Sequence, residues 1–215
     1  MDLYIRENYL KKIRGFYHAD DLIKVITGVR RSGKSSLMQM IADELKSSGI
    51  PESQIIYFDL DKREYRNVVT ADKLEALIMS KCVTDEMKYL FIDEVQNVKD
   101  FETVLNGFRT EGNWSIFITG SNSYLLSGEL VTKLTGRYIE FEIFPLNFQE
   151  YEGMKAFFGK PINSNPMIEL TNYILEGGFP RAILFDDMAD KRKYVQGVAS
   201  EIFEKEIRKR LKIKN

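Results

Sequence analysis

Two groups of residues, far apart along the chain, are of the types that handle a polyphosphate. Gly28-Val29-Arg30-Arg31-Ser32-Gly33-Lys34-Ser35 fits the pattern G-x-x-x-x-G-K-[ST]. In that pattern glycines let backbone N–H groups turn toward an anion, and the following helix adds the positive end of its dipole. Lys34 would reach the β- and γ-phosphates as a compact charge, and the Ser35 hydroxyl would complete the coordination of Mg²⁺. Ser36, which opens the helix, joins the phosphate-binding set. A glycine-containing turn that binds nothing is the alternative. The second group is Asp93-Glu94, two acids closing the apolar run from Lys88. Asp93 would hold Mg²⁺ directly or through water, and Glu94 is placed to orient and polarise an attacking water. A solvated strand-to-loop junction would leave the same two acids in the same order.

The elements that must position these residues follow from hydrophobic pattern. Residues 22–27 read as a short buried strand, and 36–45 carry apolar residues at helical spacing, so the glycine loop joins a strand to a helix. Tyr89-Leu90-Phe91-Ile92 has the continuous apolar character of a central parallel strand, and open α/β sheets bind ligands at the carboxyl ends of such strands. Strand candidates are 22–27, 54–60, 89–93, 115–119 and 138–143, alternating with helical segments. This predicts an α/β fold with a five-stranded parallel sheet covered by helices and right-handed crossovers. The strand at 115–119 should lie beside the other two and ends in Gly120-Ser121-Asn122. Ser121 or Asn122 could contact the γ-phosphate or the attacking water, or cap the helix that follows. Asp59 and Asp61 end the second strand, either facing the site or as ordinary strand-end acids. An amphipathic helix is expected over Tyr4 to Arg14, with Tyr4, Ile5, Tyr9, Leu10 and Ile13 on one side.

The nucleotide is argued from absences. A guanine site would show D-x-x-G after the second motif, but Gln96 stands at the third place after Asp93, and Asn97-Val98-Lys99-Asp100 has the wrong spacing for N-K-x-D. Adenine fits better. The acid pair favours hydrolysis, which activates water, over a small-molecule kinase, whose acceptor needs its own pocket.

Composition limits the remaining classes. A chain of 215 residues with 44% hydrophobic content can form one substantial core plus a small appendage. The formal charge of −1 gives no global argument for nucleic-acid binding, although a local patch could exist. Without a long apolar run or an apolar signal core, the expected location is cytoplasmic, with no membrane partner. Cys82 and His18 are each solitary, so the only metal expected is Mg²⁺ arriving with the nucleotide.

Several short motifs occur in one order: the glycine loop, Phe91-Ile92-Asp93-Glu94-Val95-Gln96, Ile118-Thr119-Gly120-Ser121-Asn122-Ser123, Leu134-Thr135-Gly136-Arg137, Phe144-Pro145-Leu146-Asn147-Phe148 and Glu176-Gly177-Gly178-Phe179-Pro180. Over nearly the whole chain this succession resembles the prokaryotic AAA-type ATPases of the AAA+ superfamily, relatives of the STAND ATPases. The resemblance implies a Walker A loop, a Walker B pair and an ATPase that cycles between ATP and ADP with Mg²⁺. It further implies that Arg137 reaches a γ-phosphate, in cis or in a neighbouring subunit; a surface arginine paired with a local acid remains the alternative. It implies too that Pro180 approaches the adenine, where a plain interhelix turn would also fit. Arg30 and Arg31 add two cations at the loop apex, for phosphate, for a partner or for solvent.

Residues 1–145 are therefore expected to form the nucleotide-binding domain and 146–215 a small helical lid that moves with nucleotide state. The basic end, 205–215, reads as a solvated helix terminus or as a contact for a partner or nucleic acid. Relatives of the resembling kind continue into a further domain, so a longer protein is expected. Open alternatives are a non-hydrolysing STAND-like switch acting on a protein partner and a DNA-stimulated ATPase.

Overall fold

The computed structural model describes residues 3–120, 133–134 and 136–208. It divides into two compact units: one gathers 1–6, 28–33 and 143–215, the other 7–27 and 34–142.

The larger unit is built on five parallel strands, β1 Ile23–Thr27, β2 Ile55–Asp59, β3 Lys88–Asp93, β4 Trp114–Thr119 and β5 Tyr138–Glu142, in the order β2-β3-β4-β1-β5. β1, β3 and β4 are buried along their whole lengths, which is why they read as unbroken apolar runs rather than alternating ones. Parallel strands need long crossovers, and the helices α1 Glu7–Ile13, α2 Lys34–Ser47, α3 Ala71–Lys81 and α4 Phe101–Glu111 belong to this unit. The core joins Ile56, Leu74, Leu90, Ile92, Phe101, Leu105 and Ile116. Aromatic rings line the sheet: Phe91 stacks on Phe117 at 4.7 Å and on Tyr57 at 5.7 Å. Lys24 breaks the apolar pattern of β1 yet is fully buried. Its Nζ donates to Ala19 O at 2.5 Å, Leu22 O at 3.0 Å and Ser115 Oγ at 2.9 Å, so the polar group is satisfied.

The first helix differs from expectation. It starts at Glu7, not Tyr4, and residues 3–6 belong to no helix or strand, with Ile5 half exposed. The Arg6 side chain, at the residue before the helix, is engaged by three residues from the two other segments of its own unit.

The smaller unit is helical past residue 146, as expected, with α5 Phe148–Phe157, α6 Pro166–Glu176 and α7 Met188–Ile202. Local chemistry explains each start. Asn147 and Glu150 form a capping box on α5, the Asn165 side chain accepts from Met167 N with Pro166 in the first turn of α6, and Asp187 accepts from Ala189 N on α7. α6 is inverted: Glu169 and Glu176 are buried while Met167, Ile168, Ile174 and Leu175 are exposed. The buried acids are paired, Glu169 with Lys155 and Glu176 with Lys191 and the Tyr151 hydroxyl. Among the described residues no helix is long and apolar enough to cross a membrane.

Candidate functional site

In the larger unit strand order brings the chemistry together. β4 lies between β1 and β3, with Ile26 opposite Thr119 and Ile92 opposite Ile118, so Thr119 and Asp93 end side by side. β2 adds Asp59 directly opposite Asp93. Asp93 is buried, with only 3% of its surface exposed, and accepts hydrogen bonds from the Ser35 and Thr119 hydroxyls. Burial pushes its carboxyl up from the ordinary range, against those two bonds and the nearby Lys34 charge, while Asp59 pushes it further up. Lys34 itself is buried at the first position of α2.

Glu94 is held in the left-handed region, φ 57° and ψ 46°, which is costly for a residue with a side chain and is tolerated where surroundings over-determine it. Its N–H donates to Thr119 Oγ1 at 3.1 Å, and its Oε2 accepts from the Gln96 side-chain amide. Burial raises its carboxyl, opposed by the Gln96 bond and by Lys34. The Gln96 Oε1 atom is buried without a hydrogen-bond partner. Tyr57 reaches Ser35 O at 3.5 Å.

The oxygen donors suit a hard cation. Ser35 and Asp93 already meet each other, and Mg²⁺ is commonly bound by one or two carboxylates together with substrate phosphates. Among the described residues no group of three or more His, Cys, Asp or Glu could hold a metal ion by itself.

In the smaller unit the loop residues 28–33 have their own constraints. Gly28 has φ +139°, and a Cβ there would stand 2.1 Å from Ile143 O, so no other residue fits. Ser32 N donates to Val29 O at 3.2 Å, and the Ser32 hydroxyl is buried with no partner. Arg30 pairs with Glu201 at 3.3 Å, which gives one of the two apex cations an intramolecular role; Arg31 is exposed, in the left-handed region at φ 67°. Pro180 opens a short 3-10 turn to Leu184, and its Cγ lies 3.9 Å from where a Cβ on Gly33 would be.

The fold separates Arg137 from the acids. Its carbonyl accepts from Ile23 N, at the amino ends of β1 and β5, whereas Asp93 and Thr119 stand at the carboxyl ends. A five-residue parallel strand spans about 15 Å, so Arg137 does not reach Asp93 within its own chain. Ser121 and Asn122 lie outside the described residues. Ser36 is half-buried in the first turn of α2.

Two residues of these arrangements escaped sequence reasoning. Thr119 was legible as the polar end of an apolar strand, but its neighbours Ser121 and Asn122 drew the role. Arg6 had no sequence signal.

The chain is similar to known proteins in sequence and in fold. A profile of the family described as "AAA domain" matches residues 20–152. A Haemophilus influenzae protein is 37% identical over 214 residues, covering 98% of this chain and 52% of the relative. A Methanocaldococcus jannaschii protein is 35% identical over 199 residues, covering 90% and 43%. The chain thus spans about half the length of these curated relatives, or less. Among solved structures, AMPPCP-bound DnaA from Aquifex aeolicus aligns with a TM-score of 0.54 at 19% identity, over 97% of this chain and 66% of that one, a likeness of fold.

Proposed function

We propose, from the premise that this chain belongs to the AAA domain family, that it binds ATP and hydrolyses it to ADP and phosphate. The observation that carries the reading is the meeting of Ser35, Asp93, Thr119 and Glu94 at the carboxyl ends of adjacent strands, with the Lys34 charge acting on both acids. The loop 28–33, with Lys34, Ser35 and Ser36, would cradle the phosphates. Ser35 and Asp93 would hold Mg²⁺, which supplies charge neutralisation on the phosphate oxygens. Glu94 would orient the attacking water and accept its proton, and Ser121 or Asn122 would sense the γ-phosphate. Pro180 would pack against the adenine. Arg137 we assign to the nucleotide of a neighbouring copy, since its own acids are a strand length away. The helical residues from 146 onward would act as a lid whose position reports ATP or ADP, to whatever the longer relatives carry beyond the matched part.

A second reading is a STAND-like switch with very slow turnover. It is favoured by the Gln96 amide, which occupies Glu94 Oε2. Mass identification of copurified nucleotide, followed by phosphate release with and without DNA, tests both. Steady release with magnesium supports the ATPase, and tightly retained nucleotide with turnover far below one per minute supports the switch. Stimulation by DNA selects the DNA-dependent form. Absence of any nucleotide affinity, unchanged by Lys34→Ala, overturns the whole reading.

A further inference from the structure

Arg6 donates hydrogen bonds to Glu150, Ser32 and Phe144, and no motif contains it. Its guanidinium is 4% exposed. Nε donates to Glu150 Oε1 at 3.0 Å and Nη2 to Glu150 Oε2 at 2.8 Å, a two-pronged pairing that fixes the plane of the fork. With that plane fixed, Nη1 donates to Ser32 O and to Phe144 O, each at 3.0 Å. Nη1 also lies 3.8 Å from where a Cβ on Gly33 would stand. All these groups belong to one compact unit.

We propose that Arg6 is a positioning residue for the phosphate loop, acting through the Ser32 carbonyl. This role rests on residues 28–35 forming a nucleotide site. Among the described residues there is no cis peptide, and in a trans peptide the carbonyl and the following N–H point in opposite directions. Holding Ser32 O against Arg6 therefore turns the Gly33 N–H away from Arg6, to the side where an anion is bound. If that peptide flipped, the loop would present a carbonyl oxygen to a polyphosphate in place of a donor. Gly33, at φ +105°, has the freedom to flip, so a restraint from outside the loop is required to choose the orientation. The Glu150 carboxylate, itself fixed by the capping box of α5, sets the guanidinium that sets the loop.

Alternative explanations are met by the choice of variants. A buried guanidinium could serve folding alone, and Arg6→Met would leave Glu150 buried without a counter-charge. Arg6→Lys keeps the charge beside Glu150 but cannot span the carboxylate and two carbonyls together. The double variant R6M/E150L removes both charges and carries the test should Arg6→Lys fail to fold. Binding of ATP, ADP and adenosine is measured by calorimetry with magnesium, on variants whose thermal unfolding remains cooperative.

The expected result is a loss of ATP and ADP affinity of roughly ten-fold or more, with adenosine affinity within about two-fold of the parent. An ATP affinity within about two-fold of the parent, or an equal loss for ATP and adenosine, would overturn the role and leave Arg6 a structural strut. Lys34→Ala separates the two levels. If it abolishes ATP binding while Arg6→Lys does not weaken it, this inference fails and the proposed function stands. If Lys34→Ala itself leaves affinity intact, both fail.

Discussion

Thr119 donates its hydroxyl proton to Asp93 Oδ1 and, through the same oxygen, accepts the backbone N–H of Glu94 at 3.1 Å. One side chain on β4 thereby holds the Asp93 carboxylate at the end of β3 and the backbone of Glu94 just beyond it. The pair is joined because β4 is hydrogen-bonded to β3 along its length.

Thr119→Val keeps shape but removes the hydroxyl, leaving the Glu94 N–H and one Asp93 lone pair unmatched. Turnover should fall by about ten-fold or more while ATP affinity changes much less, because positioning of the water-activating acid is lost and the phosphate loop is not. Steady-state phosphate release, compared with ATP titration, checks the split. An unchanged kcat contradicts the role of Thr119.

Glu94→Gln should abolish hydrolysis, retain ATP and raise the melting temperature. Burial holds the Glu94 carboxyl above its ordinary range, so the folded protein binds the proton more tightly than the unfolded chain. Stability therefore falls as pH rises from the unfolded value through the folded one, and above both the full cost of the buried charge is present. The gain from glutamine should be seen at pH 8 and vanish below about pH 4. Melting curves at the two pH values measure it; a variant less stable at pH 8 would refute the assignment.

Gly28→Ala should cost about 1–3 kcal/mol from the backbone conformation alone, and more from the approach to Ile143 O. Both the urea midpoint and ATP binding should drop. A variant with normal stability would show that the turn at Gly28 is not as tight as described.

Lys155→Met should destabilise the helical unit by about 3–5 kcal/mol, because it strands the buried Glu169 carboxylate. Burial pushes the Glu169 carboxyl up, but the hydrogen bonds from Lys155, Asn163 N–H and Asn172 outweigh it and hold it below the ordinary range. That stabilisation is present above the usual carboxylate pKa and is lost as pH falls through the folded one. The parent should therefore lose its advantage over Lys155→Met in acid, read from unfolding at pH 7 and pH 3.

The fold class and the candidate site residues were legible from local pattern, because the residues concerned are neighbours in sequence. Lys34 and Ser35 follow Gly33 directly, Asp93 closes its own strand with Glu94 next to it, and unbroken apolar runs occur where a strand is covered on both faces. Three facts needed coordinates. Asp59 stands opposite Asp93 because of strand register, which short apolar strands do not specify. Arg137 lies at the amino end of β5, a strand length from the acids at the carboxyl end of the sheet, a separation that depends on β5 joining the same parallel sheet. Arg6 reads as an ordinary polar position within the expected amphipathic helix, yet its fork collects Ser32, Phe144 and Glu150. Periodicity and spacing report which face is buried and which groups are adjacent along the backbone. Long-range polar contacts depend on how distant segments pack, and that was decided by the tertiary structure.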